Sequence, residues 1–146
     1  TLYVEAAVPV KGVVSLSGPG DLRRFLEIIP RFSDVLNQVH GGGAPESIAK
    51  NMKEGSPAEL LPLGVPQVFI TGDKDPAVPI QEAREYAVKA RSAGDTVEVI
   101  PVPGLHFEST DPGNAISGPE ILGAMLKLAN MKGDVAACVA QSNALR

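Results

Sequence analysis

Two short segments contain the residue types best suited to acid–base chemistry. Asp73 and Asp75 lie in Gly-Asp-Lys-Asp-Pro at residues 72–76, directly after an apolar run, and His106 lies in Pro-Gly-Leu-His-Phe at residues 103–107, after a second one. A buried carboxylate that accepts the N–H of an imidazole fixes the tautomer of the ring, so that the other ring nitrogen can take a proton. An aspartate and a histidine can act in this way only if the fold brings the two loops together.

Three short apolar runs, rich in β-branched residues, have the character of buried strands. They occupy residues 13–16, 67–71 and 96–102. Runs of this length and composition are typical of strands in a parallel sheet that is covered on both faces. Because neighbouring parallel strands end at the same edge of a sheet, we expect the loops after the second and third strands to be adjacent.

Apolar residues at helical spacing predict helices between and after these strands, at residues 22–29, 80–93 and about 119–131. Asp21 is the predicted N-cap of the first, and Gly94 the predicted stop of the second. Strands that alternate with helices in this way predict an α/β fold, with a parallel sheet and flanking helices.

Residues 30–66 form an unusually long connection between the first two strands. The segment is polar and glycine-rich, and it is divided into short helical pieces. The sequence Ser-Pro-Ala-Glu at residues 56–59 has a capping-box pattern with proline at the first helical position, which predicts a short helix there. Long insertions of this kind are often lids or binding elements, so we interpret residues 30–66 as a lid-like insertion within a single domain at residues 1–146.

The composition argues against several classes of function. There are 13 Lys and Arg against 17 Asp and Glu, and only 4% aromatic residues, so we expect no nucleic-acid partner. The apolar runs are too short for a membrane span, and no targeting signal indicates a compartment. The single cysteine, Cys138, excludes an internal disulfide framework. Asp73 and Asp75 lack further ligands at metal-binding spacing, so we expect no metal site and interpret Asp73 as a turn residue.

The order of these features resembles the C-terminal half of an α/β-hydrolase, in the esterase and lipase branch that includes kynurenine formamidase-like proteins. The resemblance covers nearly all of residues 1–130. It depends on the following segments: Val-Lys-Gly-Val-Val-Ser-Leu-Ser-Gly at residues 10–18, Ser-Pro-Ala-Glu-Leu-Leu-Pro-Leu-Gly-Val-Pro-Gln at residues 56–67, the loops around Asp75 and His106, Ala-Gly-Asp at residues 93–95 and Asp-Pro at residues 111–112.

This resemblance implies a partial α/β-hydrolase fold of about three strands and a function in hydrolysis. By the resemblance Asp75 is the acid of a catalytic triad and His106 its general base, and their order along the chain agrees with the family order of serine, acid and histidine. It also implies a small carboxylic ester, or an amide such as an acylated aniline, as the substrate. Serine acyl transfer needs no cofactor, so none is expected.

The nucleophile of such a triad has no counterpart in these 146 residues. No Gly-x-Ser-x-Gly segment occurs, and residues 1–8 resemble the end of the helix that follows this motif in the family. Ser15 and Ser17 lack the flanking glycines of a nucleophile, so we interpret them as structural. The His-Gly-Gly-Gly segment at residues 40–43 is similar to an oxyanion loop but follows the wrong strand, and we interpret it as a turn. We therefore expect the chain to supply the acid and base of a serine hydrolase and to be inactive alone.

A missing nucleophile strand also has a consequence for the sheet. In the family that strand lies beside the segment corresponding to residues 12–17, so without it the first strand has an edge of unpaired N–H and C=O groups. We expect this edge to be covered by a missing N-terminal half, by a second copy of the chain, or by the tail at residues 134–146. The alternative function is a non-catalytic binding or self-associating protein built on a truncated hydrolase fold, and a fragment with no function of its own is a third interpretation.

Overall fold

The computed structural model describes residues 9–39, 45–130, 133 and 134. Within these residues the chain forms β1 (Val13–Leu16), α1 (Leu22–Ile28), α2 (Ser33–Val39), α3 (Pro45–Gly55), β2 (Gln67–Gly72), α4 (Ile80–Ser92), β3 (Val97–Val102) and α5 (Gly118–Ala129), with 3-10 turns at Pro30–Phe32 and Pro57–Glu59. The helix end expected at residues 1–8, the turn at residues 40–43 and Cys138 lie outside the described residues.

The three strands form one parallel sheet in the order β1-β2-β3. Gln67 is the register partner of both Val13 and Val97, so all three strands begin at one edge of the sheet. The strands and the three predicted helices lie within about two residues of their expected bounds. The predicted α/β fold, a parallel sheet with flanking helices, is therefore confirmed.

Local signals in the sequence explain where the helices begin and end. The side chain of Asp21 accepts a hydrogen bond from the N–H of Arg24 (3.1 Å), which makes Asp21 the N-cap of α1. Gly94 follows α4 with φ of +102°, a conformation that glycine adopts without strain. Both residues act as the sequence predicts.

Helices cover both faces of the central strand β2, in which every residue is buried. On one face Phe69 packs with Tyr86 of α4 in an apolar cluster, and on the other Val68 and Ile70 pack with Ile121 of α5. Successive residues of a strand point to opposite faces, so one apolar run supplies both clusters. The core holds the strand ends in place, and with them the loops that carry Asp75 and His106.

The segment between β1 and β2 is helical, as expected, but the predicted capping box does not form. The 3-10 turn at Pro57–Glu59 has no side-chain cap, and the hydroxyl of Ser56 instead accepts a hydrogen bond from the N–H of Leu22 (3.1 Å). Leu22 is the first residue of α1, where backbone N–H groups lack partners within the helix. Ser56 therefore caps a different, distant helix, because that buried donor needs an acceptor.

The helix α3 packs loosely on the remainder of this segment. None of its residues is buried, and a cleft of about 430 Å³ lies between α1 and α3, where apolar residues such as Leu26 and Met52 alternate with charged ones such as Arg23 and Lys53. Asp75 and His106 are not among the lining residues of this cleft. The lid-like role of residues 30–66 stays a prediction.

The outer side of β1 has no strand beside it within the described residues. The N–H groups of Val13 and Ser17 donate to carbonyl groups of Pro66 and Ile70 (2.9 and 2.8 Å), at the β2 side. Because successive N–H groups in a strand point in opposite directions, that of Val14 is directed away from β2. The covering of this edge by another segment or chain stays a prediction.

Glu82 joins α4 to the loop that follows β1. Its side chain is fully buried, and its carboxylate accepts hydrogen bonds from the backbone N–H of Gly20 (3.1 and 3.2 Å) and of Asp21 (2.6 Å). Burial raises the pKa of Glu82 to about 7, although the backbone hydrogen bonds act in the opposite direction.

Gly20 also packs against α4. Any residue with a Cβ is excluded at this position, because that atom would lie 2.4 Å from the ring of Tyr86.

We expect Glu82 to make the stability of the chain depend on pH. Because its folded pKa of about 7 exceeds the ordinary value of 4.5, its contribution is present in full below pH 4.5 and is lost as the pH rises through 7. Between pH 4 and pH 8 the unfolding free energy of the wild type should fall by about 3 kcal/mol relative to Glu82→Gln.

Urea unfolding of both proteins at pH 4, 6 and 8 measures this difference. The matched control is Glu98→Gln, which removes an exposed carboxylate that pairs with Lys127. Parallel pH profiles for the wild type and Glu82→Gln would show that Glu82 does not titrate in this range.

Candidate active site

The loop after β2 is fastened to the loop after β3 by backbone hydrogen bonds. The N–H of Asp73 donates to the carbonyl of Val102 (2.9 Å), and the N–H of Lys74 donates to that of Gly104 (3.0 Å). The side chain of Asp73 accepts a hydrogen bond from the N–H of Gly104 (3.0 Å), in agreement with a role in the turn. A Cβ at Gly72 would lie 2.4 Å from the carbonyl oxygen of Leu105, so only glycine allows the loops to approach so closely.

Within this pair of loops the carboxylate of Asp75 contacts His106, as expected from the parallel sheet. Oδ2 of Asp75 lies 2.8 Å from Nδ1 of His106, and the Asp75 side chain is fully buried. Oδ1 accepts hydrogen bonds from the backbone N–H groups of Ala77 (2.8 Å) and Val78 (3.0 Å). The carboxylate is thus held on both oxygens, in the segment that leads into α4.

This arrangement determines the chemical role of each nitrogen of the His106 ring. The two backbone N–H groups bond to Oδ1, and an oxygen of a carboxylate such as Oδ2 can only accept, so Nδ1 carries the proton of this hydrogen bond and is its donor. The other nitrogen, Nε2, then holds the lone pair that can accept a proton. The ring is partly open to solvent, with 31% of its side chain exposed. A histidine held in this way can take up a proton at Nε2, which is the chemistry that a general base needs.

Hydroxyl groups fix the backbone around His106. Ser109 donates to the carbonyl of His106 (2.8 Å), Thr110 to that of Phe107 (3.1 Å), and Ser117 to that of Glu108. Neither Ser109 nor Ser117 is among the site residues that the sequence predicts. The Ser-Thr pair at residues 109–110 was the available signal, since these side chains often bond to nearby backbone groups in turns.

The two serines considered as replacement nucleophiles both make hydrogen bonds within the fold. Ser15 donates to the carbonyl of Gly18 (3.3 Å), and the hydroxyl oxygen of Ser17 lies 2.5 Å from that of Ser109. Ser17 is buried and has φ of +48°, a conformation that is uncommon for a serine. These contacts fit the structural interpretation.

The described residues contain no group of three or more histidine, cysteine, aspartate or glutamate side chains that could hold a metal ion. In the same part of the chain no helix is both long and apolar enough to cross a membrane.

Comparison with known proteins gives esterases as structural neighbours. No family model and no curated protein sequence matches the chain. Among solved structures, three forms of esterase 2 from Thermogutta terrifontis are similar to parts of it. The form phosphoramylated by tabun is 25% identical, with a TM-score of 0.37, over 51% of this chain and 26% of the esterase.

The other two forms of this esterase give similar values. For the native enzyme the identity is 21% and the TM-score 0.43, over 60% of this chain and 35% of the esterase. For the butyrate-bound enzyme the identity is 20% and the TM-score 0.44, over 64% of this chain and 40% of the esterase. The matched part of the chain thus spans between about a quarter and two fifths of the length of these esterases.

We expect Asp75→Asn to reverse the tautomer of His106. The side-chain oxygen of asparagine can still accept the N–H groups of Ala77 and Val78, which places its NH₂ group against Nδ1 of the ring. Nδ1 must then act as the acceptor, so the proton moves to Nε2. The ¹⁵N chemical shifts of the ring in a selectively labelled sample distinguish the two tautomers.

The matched control is Asp73→Asn, which alters an acid of the same loop that binds Gly104 rather than His106. It should leave the proton on Nδ1. Identical ring spectra for the wild type and Asp75→Asn would contradict the inferred hydrogen bond.

Proposed function

We propose that this chain supplies the acid and the general base of a serine hydrolase that cleaves a carboxylic ester or amide. The observation that supports the proposal is the buried Asp75 carboxylate, which is held by two backbone N–H groups and lies 2.8 Å from Nδ1 of His106. Both residues stand in the sequence segments that resemble the α/β-hydrolase family. The nucleophilic serine is supplied by polypeptide outside these 146 residues, and the chain alone is inactive.

In the proposed reaction His106 carries two protons in turn, one in each half of the reaction. Nε2 takes the proton of the serine hydroxyl as the serine oxygen bonds to the substrate carbonyl carbon, and it then gives this proton to the leaving alcohol or amine. In the second half a water molecule gives a proton to the same nitrogen as its oxygen bonds to the acyl carbon, and the nitrogen passes this proton to the serine oxygen as the carboxylic acid leaves. Asp75 stabilises the imidazolium that exists between these transfers, and it keeps the ring in the required tautomer.

The proposed substrate is a small ester or an acylated aniline. The resemblance to kynurenine formamidase-like proteins supports this choice. The apolar residues on either side of His106 in the sequence also support it, since Leu105 is 51% and Phe107 81% exposed, and the ring of Phe107 lies 5.4 Å from that of His106 between centroids. These two side chains offer an apolar surface to a substrate group or to the segment that carries the serine.

We expect His106→Ala and Asp75→Asn to abolish hydrolysis of 4-nitrophenyl acetate and formanilide by the protein isolated from its own cells. Loss of a triad member should lower kcat by at least about a thousandfold. The isolated 146-residue chain should show no turnover above the buffer rate. Circular dichroism should show that both variants are folded, because His106 is partly exposed and asparagine has the shape of Asp75 and still accepts the N–H groups of Ala77 and Val78.

Asp73→Asn is the matched control, and it should retain turnover within a few-fold of the wild type. Undiminished turnover by His106→Ala would exclude His106 as the base. Absence of turnover in the wild type, with these substrates and with a longer series of esters and anilides, would favour the alternative function.

The alternative is a non-catalytic protein that associates with itself through the outer edge of β1. Within the described part of the chain no strand pairs with the outer side of β1, and this favours the alternative because exposed edge strands are templates for pairing with another chain. Val13 is 39% exposed there, and a groove lined by Val14, Met125 and Leu128 runs beside it. A second copy pairing at this edge would also cover the groove.

We expect Val14→Pro to prevent such association. Proline removes the N–H that points away from β2 and leaves intact the hydrogen bonds that Val13 and Ser17 donate toward it. If the chain is a dimer through this edge, the variant should be a monomer in sedimentation equilibrium. Val14→Ala, which loses the packing but keeps the N–H group, should still dimerise. A Val14→Pro dimer of unchanged stability would exclude the edge as the interface.

A further inference from the structure

We propose that Ser17 and Ser109 form a two-hydroxyl relay that positions His106 for its contact with Asp75. This inference rests on the proposed function, since it assigns positioning residues to the same acid–base pair. Its starting observation is a continuous line of contacts from the end of β1 to the loop that carries the base. The hydroxyl oxygens of Ser17 and Ser109 lie 2.5 Å apart, and the Ser109 oxygen lies 2.8 Å from the carbonyl oxygen of His106.

The direction of both hydrogen bonds follows from the number of protons available. The carbonyl oxygen of His106 can only accept, so the single hydroxyl proton of Ser109 is donated to it. The oxygen of Ser109 must then accept from Ser17, which is therefore the donor of the 2.5 Å contact. The relay runs from Ser17 through Ser109 to the backbone of His106.

The conformation of Ser17 places its hydroxyl where this relay needs it. Ser17 follows the last residue of β1, its N–H still donates to the carbonyl of Ile70 (2.8 Å), and its φ of +48° turns the chain out of the strand. A non-glycine residue in this region is uncommon. Its hydroxyl is buried and has a partner 92 residues away in the sequence.

Both hydroxyl groups of the relay are buried, unlike the hydroxyl groups of a turn that is exposed to solvent. Ser109 is fully buried and Ser17 is 3% exposed, so water does not readily replace either hydroxyl. The His106 loop has no regular secondary structure, and the relay connects the end of β1 to the backbone carbonyl of His106, the residue that carries the imidazole. Loss of either hydroxyl should therefore loosen the ring against Asp75 without removing any group that contacts a substrate.

The test measures how well the Nδ1 proton of His106 is protected, in the chain labelled with ¹³C and ¹⁵N. In Ser109→Ala the exchange of this proton with water should become roughly fivefold faster, as expected for the loss of one hydrogen bond. Ser17→Gly removes the hydroxyl donor without backbone strain, because glycine adopts positive φ freely. It should also make the exchange of the Nδ1 proton faster. The ¹³C shift of the His106 carbonyl should change in both variants.

Two further variants test whether the effect belongs to the relay of Ser17 and Ser109. Thr110→Val removes the neighbouring hydroxyl, which binds the carbonyl of Phe107, and it should leave the Nδ1 proton unaffected. The double variant Ser17→Gly/Ser109→Ala should exchange at the rate of Ser109→Ala alone, because Ser17 acts only through Ser109. Unfolding free energies of all variants separate a local change from a general loss of stability.

Unchanged exchange and an unchanged carbonyl shift in Ser109→Ala would overturn the proposal. The proposal would also be overturned if Thr110→Val accelerated exchange of the Nδ1 proton as much as Ser109→Ala, or if the effects of the two single variants added in the double variant. A wild-type ring that carries its proton on Nε2 would instead count against the proposed function, and the carbonyl shift would still decide whether the relay exists.

Discussion

The buried carboxylate of Asp75 is the constraint on which the site depends. A buried carboxylate is stable only when its oxygens accept enough hydrogen bonds, and Asp75 accepts them from Ala77, Val78 and His106. Two of these donors belong to the segment leading into α4, and the third comes from the loop after β3. The carboxylate therefore holds two loops together and orients the imidazole at the same time.

That contact is possible because the sheet and its two covering helices fix the ends of β2 and β3. The parallel register brings both strands to the same edge, and the side chain and N–H of Asp73 join the loops directly at Gly104 and Val102. On the β1 side, Glu82 and the Ser17 hydroxyl connect the following loop to α4 and to the His106 loop. Each connection joins segments that are distant in sequence, so the site is a property of the assembled fold.

The sequence predicts the parts of this structure that depend on local patterns. The strands, the main helices and the Asp21 cap follow from periodicity and residue type, and the proximity of Asp75 to His106 follows from the topology of a parallel sheet. Contacts of a side chain with a group that is distant in the sequence leave no such local pattern by which they could be predicted. The sequence predicts that Ser56 caps its own turn, but it caps α1, and nothing in the sequence pairs Glu82 with Asp21 or Ser109 with Ser17, because these groups meet only in the folded chain.

A single measurement tests the central claim, which is that the oriented Asp75–His106 pair serves a serine outside these 146 residues. The protein from its own cells is treated with a fluorophosphonate, which reacts with activated serines, and the mass of every polypeptide is measured after denaturation and digestion. We expect one label, on a serine of a polypeptide segment that is not among residues 1–146, and no label in His106→Ala. A label on Ser15, Ser17 or another serine of this chain, or a preparation that takes no label at all, would contradict the claim.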